Sequence, residues 1–524
     1  MTTSTRIAVP IMLSDAAADA KTAVAAVRAG ADLIEWRMDQ ATPAMVDTLF
    51  ADSAVRTIPW ILTVRPTWEG GKFAGDDLSR LALIQAAVNY QPEFLDLELK
   101  TWTGCPPIAH YYRSLERDRR PKLILSSHHF DRRPENPAEI LSAIAAHSEA
   151  GVAKIAFTAS GVQDALDALE LYESLKAYPH LQGVFLAMGE HGTISRTLAG
   201  KYGAAFTFGV LPGGASTAPG QPLITELIDI YRLKAQRPDW SVFGLIGFPV
   251  AQSVSPHMHN AAMHAAGFPG VYVRFPLPGE FSAFERTIER LRADRRLHLR
   301  GLSVTIPHKE NACRFVKAAE GEIRGRDVGA INTILFSGAK PIGLNTDAPG
   351  GLSALLDGAG WTAADLNGRH MAIIGAGGAA AGLASILADH GCRLTIYNRN
   401  LPRAESLAAQ LRSRGGECQA LPLGDLNLHD VDAMIQCTPV GMHPHIDAMP
   451  VPDTLPLRPG TVVMDTIYNP RRTRLLRWAT DRGAVCIEGV NMLVGQGALQ
   501  FEAFTGLAAP VDMMRDAACR GLGL

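Results

Sequence analysis

From Ile7 to about Leu233, short apolar runs alternate with longer amphipathic ones. The runs IAVPIM, ADLIEWRMD, PWILTVR, EFLDLEL, KLILSSHH, VAKIAFTA, VFLAMGE and AAFTFG have strand length and are rich in branched aliphatics. Between them, stretches such as DAAADAKTAVAAVRAG, DDLSRLALIQAAVNY, PAEILSAIAAHSEAG and VQDALDALELYESLKAY carry Leu and Ala at i, i+3, i+4, the period of a helix with one buried face. Strict alternation of strand and helix implies parallel strands joined by right-handed crossovers. About eight such units in this length predict a (β/α)8 TIM barrel over residues 1–237.

A second α/β pattern appears near Met371. The run MAIIG leads into Gly375, Gly377 and Ala380 in GxGxxA spacing, then an Ala/Leu helix, then the strand RLTIYNR. This order predicts a Rossmann-like dinucleotide-binding lobe. One glycine makes the tight turn, the next lets backbone amides approach a pyrophosphate, and the helix N-terminus adds partial positive charge. An NAD site would place Asp or Glu at the end of the second strand. Here Asn398, Arg399 and Arg403 follow, which favours a 2'-phosphate and hence NADP(H).

Composition narrows the setting. A chain of 524 residues exceeds one ordinary core. Its 50 Lys+Arg against 52 Asp+Glu leave no basic footprint for nucleic acid. Seven scattered cysteines without a CxxC pair fit a reduced protein better than a disulfide framework. With no membrane-length apolar run and neither signal nor transit segment at MTTSTRIAVPIM, the expected location is cytoplasmic. The high Ala and Arg content suggests a bacterial source.

In such barrels the chemistry sits at the C-terminal strand ends. Those ends carry Glu35, Arg37, Arg65, Glu69, Asp96, Glu98, His128, Lys154, Met188, Arg196 and Gln221. Lys154 is an amine in a run that should be buried. A desolvated lysine loses protonation and can attack a ketone to form a Schiff base, although a lysine paired with a carboxylate fits the pattern equally. His128, one strand earlier, could remove a proton α to the iminium. Arg37, Arg65 and Arg196 could hold an anionic substrate. His129 should point away from His128 by strand alternation.

The polar segment KAQRPDWS (234–241) contains one Pro and is too short for a loose tether, so a boundary is expected near Arg237. Beyond it, His257 and His259 form an HxH pair, but no third ligand stands at suitable spacing and no metal is expected. Lys309, Asn332 and Asp347 sit at strand ends just before the glycine loop. A lysine and a carboxylate facing a nicotinamide suit proton transfer at a carbonyl; a plain salt bridge is the alternative.

The motifs EWRMD, TVRPTWEGG, DLEL, LSSHHF, VAKIAFT, SRTLAGKYGAAFTFG and APGQP, in this order, resemble type I 3-dehydroquinate dehydratase across the first part. The resemblance implies that Lys154 forms the Schiff base with the substrate ketone. His128 would remove the α-proton and help the hydroxyl leave, without a cofactor. Glu35, Arg37, Arg65, Arg196 and Gln221 would hold hydroxyls and carboxylate, with Thr217 standing where the family has Ser.

From about Val242 onward, SVSP, SVTIPHK, GAINT, NTD, GAGGAA, NR, CTPVGM, YNP and GVNMLVGQ resemble shikimate dehydrogenase. That resemblance implies Ser253 and Ser255 on the substrate carboxylate, Thr305, Asn332, Asp347, Tyr468 and Gln496 around the rest of the substrate, and Lys309 with Asp347 as the catalytic pair. Gly375, Ala376, Gly377, Gly378, Ala379, Asn398, Arg399, Arg403, Thr438 and Gly489 would surround NADP(H); Asn400 replaces a Thr common after the Asn-Arg pair. The implied division is a substrate lobe at 238–350, completed by the C-terminal helices at about 490–524, and a cofactor lobe at 351–489. A helix from about Leu493 to Thr505 would return to the substrate lobe.

The two resemblances reinforce each other, because the product of the first reaction is the substrate of the second. Fused halves in this order resemble the plant-type bifunctional enzyme. The rival of a quinate-preferring dehydrogenase is disfavoured by Ser255 and Thr305, which match the shikimate form. A non-catalytic regulator would have lost catalytic residues or gained a DNA-binding segment. Lys154, His128, Lys309 and Asp347 are all present, and no basic helix-turn-helix stretch is left over.

Overall fold

The computed structural model describes residues 4–214, 219–325 and 329–523, so Thr217 lies outside the described residues. The chain packs as two compact units, Met1–Ala251 with Pro269–Leu299, and Gln252–Phe268 with Arg300–Leu524.

The first unit holds eight parallel strands: β1 (Arg6–Met12), β2 (Leu33–Arg37), β3 (Trp60–Thr63), β4 (Phe94–Glu98), β5 (Lys122–His129), β6 (Ala150–Thr158), β7 (Gln182–Met188) and β8 (Phe206–Phe208). The ladder runs β8-β1-β2-β3-β4-β5-β6-β7. A backbone bond from Ala205 N to Gly183 O (2.9 Å) ties its two ends into the expected barrel. Ala8, Leu33, Ile61, Phe94, Ile124, Val152, Val184 and Phe206 form the inner core. Two or four residues further along the same strands, on the same inward face, stand Glu35, Arg37, Thr63, Arg65, Asp96, Glu98, Ser126, His128 and Lys154. The period-2 rule therefore turns one strand face into an apolar floor and a polar mouth.

Two barrel elements differ from the sequence pattern. The helix expected to continue through HSEAG ends at Ala145, and Ala150 already belongs to β6. After β8 the chain makes only a π-turn, Glu226–Ile230, before Arg232 takes a left-handed φ of 50°. The segment that follows is stitched to the barrel. The Gln236 amide donates to Thr197 O and Tyr231 O and accepts from Lys201 N, while Lys201 Nζ donates to Pro238 O and Trp240 O, both at 2.6 Å. Burial lowers the Lys201 pKa to about 8. The parallel pair β9 (Ser241–Gly247) and β10 (Gly270–Pro276), and the helix Phe281–Ala293, belong to this unit as well. Thr287 and Arg290 of that helix bond to Gln163 and Asp167 on a barrel helix.

In the second unit, β11 (Leu299–Val304) runs antiparallel to β13 (Thr333–Leu335), which pairs antiparallel with β14 (Ile342–Leu344). β14 in turn lies parallel to β12 (Glu322–Arg324). A second sheet comprises β15 (His370–Ile374), β16 (Arg393–Asn398), β17 (Cys418–Pro422), β18 (Ala433–Gln436), β19 (Val462–Asp465) and β20 (Val485–Ile487). It is parallel throughout, in the order β17-β16-β15-β18-β19-β20. The strand order reverses between β15 and β18, and ligands of such sheets bind outside the carboxyl ends at that point. The helix Gly489–Thr505 lies against the helix Asp347–Ala359 at a glycine contact: a Cβ on Gly350 would stand 2.3 Å from Gln496 N. Among the described residues no helix is long and apolar enough to cross a membrane.

Candidate active sites

At the barrel mouth a cavity of about 50 Å³ is lined by Glu35, Arg37, Arg65, Glu69, His128, Lys154, Arg196 and Gln221, with Phe130, Met188 and Phe208 as apolar walls. Lys154, 4% exposed, lies on β6 beside Ser126 of β5. Its Nζ reaches Asp96 Oδ2 at 2.7 Å and Glu35 Oε1 at 3.4 Å, and stands 4.8 Å from the centre of the Phe208 ring. The carboxylate-paired lysine and the cavity-facing amine are thus one and the same. Burial pushes the Asp96 carboxyl up, but the Arg65 and Lys154 cations beside it prevail and hold it well below the usual carboxylate range.

His128 is kept neutral by burial, and then by the nearby cations Arg65 and Lys154. Its backbone N donates to Glu69 Oε1 at 2.8 Å, and its Nδ1 lies 3.0 Å from the same oxygen. Glu69 is pushed up to about 7 by burial, against Arg65 and with Glu98. Strand-end reading found Glu69 but gave it no role; its partnership with His128 comes from the turn at Thr67–Glu69. His129 faces the other way, bonding to Ser127 Oγ at 3.0 Å, as strand alternation requires.

The three arginines are not equivalent. Arg37 bonds to Asp39, and Arg65 spends its donors on Glu98, Asp96 and Ser126. Arg196 is 1% exposed, yet its Nε and Nη1 have no hydrogen-bond partner among the described residues. Burial alone lowers its pKa to about 10. A buried, unsatisfied guanidinium lining the cavity has the donors that a carboxylate needs.

In the second unit Lys309 opens a helix after β11 and Asp347 opens another after β14. Lys309 Nζ donates to Asp347 Oδ2 at 2.5 Å. Asn332 Nδ2 donates to Asp347 Oδ1 at 2.9 Å and approaches Gln496 Oε1 at 3.5 Å. Ser253 and Ser255 hydroxyls are bonded to each other at 3.1 Å. Thr305 follows β11 directly, and Tyr468 is half-buried after β19. His259 is fully buried against Phe504 and well away from solvent, and burial lowers its pKa to about 3.

At the strand-order switch a cavity of about 430 Å³ is lined by Gly375, Ala376, Gly377, Asn398, Arg399, Arg403 and Thr438. Gly378, Ala379 and Gly489 are not in its wall. Gly375 has φ +113°, which an L side chain rarely adopts. A Cβ on Gly377 or Gly378 would meet nothing within 4 Å, so the loop backbone is open to a ligand. Arg399 and Arg403 are exposed at the rim and carry no ion pair among the described residues. The lining therefore fits a dinucleotide with an extra phosphate on its ribose. Asn400, at the position where Thr is common, caps the helix Leu401–Arg412 by accepting from Arg403 N. Leu423, Met449 and Pro450 also line it; they are ordinary apolar residues that no sequence motif flagged.

A lysine-bearing (β/α)8 barrel joined to a dinucleotide-binding fold with a Lys-Asp pair defines a two-site α/β enzyme. Residues 7–238 match the family model of type I 3-dehydroquinase, and residues 245–334 that of the shikimate dehydrogenase substrate binding domain. Residues 359–474 match shikimate/quinate 5-dehydrogenase, and residues 489–519 the shikimate 5'-dehydrogenase C-terminal domain. A chloroplastic bifunctional 3-dehydroquinate dehydratase/shikimate dehydrogenase of Arabidopsis thaliana is 34% identical over 502 residues, 92% of this chain and 79% of its own. An NADP(+) shikimate dehydrogenase of Methanopyrus kandleri is 42% identical over 283 residues, 53% of this chain and 94% of its own. A crystal structure of a shikimate dehydrogenase in complex with NADP+ superposes with a TM-score of 0.50 at 36% identity, covering 55% of this chain and 97% of that one. The chain belongs to the family of bifunctional 3-dehydroquinate dehydratases/shikimate dehydrogenases.

Proposed function

We propose that the barrel dehydrates 3-dehydroquinate to 3-dehydroshikimate through a Schiff base on Lys154, and that the second half reduces the product to shikimate with NADPH. The observation that carries the first step is Lys154 lining the barrel mouth with a neutral imidazole and an unsatisfied guanidinium. The Lys154 ammonium gives up a proton and attacks the ketone, and that proton leaves with the carbonyl oxygen as water when the iminium forms. His128 takes the α-proton, and the electrons pass to the iminium nitrogen. Their return expels the ring hydroxyl, which takes the proton back from His128 and leaves as water. Hydrolysis of the iminium then frees the enone and Lys154. Glu69 holds the imidazole by Nδ1. Arg196 receives the carboxylate, and Glu35, Arg37, Arg65 and Gln221 bound the ring.

In the second half NADPH supplies the reducing equivalent when bound. Lys309, hydrogen-bonded to Asp347, delivers the proton to the carbonyl oxygen. Ser253 and Ser255 receive the carboxylate, while Thr305, Asn332, Tyr468 and Gln496 position the ring. Ser255 and Thr305 favour shikimate over quinate. Arg399 and Arg403 receive the ribose phosphate, Gly375, Ala376, Gly377, Asn398 and Thr438 line the cofactor's cavity, and Gly378, Ala379 and Gly489 stand at the starts of the two helices beside it. The functional divisions are 1–237 for dehydration, 238–350 with about 490–524 for the second substrate, and 351–489 for NADP(H). Its partners are these small molecules and not nucleic acid. Seven unbridged cysteines support a reducing, cytoplasmic setting.

Borohydride added with 3-dehydroquinate should leave one reduced adduct, mapped to the Lys154 peptide by mass spectrometry. An adduct on another lysine, or none, refutes the Schiff-base assignment.

A further inference from the structure

The helix Asp77–Val88 buries Arg80 together with Leu83, Ile84, Ala87 and Val88, so a guanidinium stands on what is otherwise an apolar stripe. Arg80 is 2% exposed and is not in the wall of the barrel mouth. Its Nη2 donates to Glu98 Oε2 at 2.6 Å and its Nη1 to Thr101 Oγ1 at 2.8 Å. The Thr101 hydroxyl donates to the same Glu98 oxygen at 2.6 Å. The other Glu98 oxygen accepts from Arg65 Nη1 at 2.5 Å, and Arg65 Nη2 lies 2.7 Å from Asp96 Oδ1, which also accepts from Ser126 Oγ at 2.6 Å. Asp96 Oδ2 takes Lys154 Nζ at 2.7 Å. Cation and carboxylate therefore alternate from a barrel helix to the reacting amine, in the order Arg80, Glu98, Arg65, Asp96, Lys154. A row of buried charges is a poor source of stability, because packed apolar side chains would serve as well or better.

We propose that Arg80 is a positioning residue for the dehydration, acting through Glu98, Arg65 and Asp96 to set how firmly Asp96 holds the Lys154 amine. This role rests on the Schiff-base reading of the barrel. The Lys154 ammonium gives up a proton and turns its nitrogen to the ketone, and both movements are harder the more negative charge Asp96 keeps for it. Arg65 draws on that charge from the other side. With Arg80 in place, Glu98 is shared between two cations and Arg65 keeps a nitrogen for Asp96. Without Arg80, Glu98 turns its whole charge on Arg65, which is drawn away from Asp96, and Asp96 closes on Lys154. Burial works against the Arg65 charge, but Asp96, Glu98 and Glu69 overcome it and hold it above the ordinary arginine range, so Arg65 stays a cation throughout. The predicted consequence is slower attack on the ketone with no change in how the substrate is received.

The test follows Lys154 itself. Wild type, Arg80→Met and Arg80→Lys are mixed rapidly with saturating 3-dehydroquinate and quenched with borohydride at increasing times, and mass spectrometry reads the reduced adduct on Lys154. Misfolded protein lowers the final amplitude of that curve, whereas a badly held amine lowers its rate constant. Arg80→Met should lower the rate constant and the steady-state kcat by about tenfold and leave KM within about threefold, because the groups that receive the substrate are untouched. Arg80→Lys keeps the charge and one donor for Glu98, so its rate constant should stay within about threefold of wild type. A rate constant unchanged in Arg80→Met, or equally low in Arg80→Lys, overturns the proposal. If Arg80→Met does not fold, Thr101→Val decides, since it keeps the shape and removes the hydroxyl bonded to both Arg80 and Glu98: a rate constant lowered by about threefold supports the role, and an unchanged one rejects it. No adduct on Lys154 in wild type refutes the Schiff-base reading itself, whereas a normal wild type beside an unaffected Arg80→Met refutes only the role of Arg80.

Discussion

Replacing Arg196 with Met should make the protein more stable and the dehydratase nearly useless. The guanidinium is 1% exposed with two nitrogens unsatisfied, and burial lowers its pKa from the ordinary 12.5 to about 10. At 1.36 kcal/mol per unit, this is a destabilisation of roughly 3 kcal/mol. Because the folded state lowers the pKa of a cation, the cost is present in full below pH 10, fades as the pH rises from there toward the unfolded value, and is gone above it. Met fills similar space with no charge to desolvate, so a gain of about 1–3 kcal/mol is expected at neutral pH. The same change removes the carboxylate's partner, so KM for 3-dehydroquinate should rise by about 10²-fold, in line with the loss of a buried charge-assisted pair. Calorimetry of the ligand-free proteins reads the first effect, and steady-state kinetics with 3-dehydroquinate read the second. A variant that is less stable than wild type, or whose KM for 3-dehydroquinate is unchanged, would refute the assignment of Arg196 as an enclosed carboxylate receptor.

Other substitutions probe the remaining parts. Glu69→Gln should remove an acid limb near pH 7 from the dehydratase kcat/KM profile: wild type loses the ionised Glu69 as the pH falls through about 7, and the amide cannot titrate. An unchanged limb would reassign it to another group. Lys309→Ala should abolish NADPH oxidation on 3-dehydroshikimate and leave dehydration intact, so loss of both activities would contradict separate sites. Arg399→Ala should raise KM for NADPH by about 10-fold or more and leave NADH unaffected, consistent with an exposed phosphate contact; equal effects on both cofactors would remove the basis for the phosphate assignment.

Much of this was legible in the sequence because periodicity and strand ends carry the relevant physics. Strand ends marked Lys154 and His128, and alternation turned His129 away from the presumed base. The GxGxxA turn located the switch-point cavity, and Arg399 with Arg403 stand in its wall. What was illegible depended on partners distant in the chain. Arg37, Arg65 and Arg196 look alike as strand-end arginines, yet only the folded neighbours show that Asp39 occupies the first, Glu98 and Asp96 the second, and that Arg196 keeps free donors. Glu69 gained meaning only when a three-residue turn brought it under His128. The apolar wall of the nucleotide cavity, Leu423 and Met449 among it, had no local pattern to reveal it.

The central claim is that one chain carries out two successive reactions. Proton NMR of 3-dehydroquinate mixed with the protein and NADPH tests it most directly. Shikimate should appear with one NADPH consumed per 3-dehydroquinate, and 3-dehydroshikimate should accumulate only when NADPH is withheld. Quinate as the reduced product, or 3-dehydroshikimate as the end product despite excess NADPH, would contradict it.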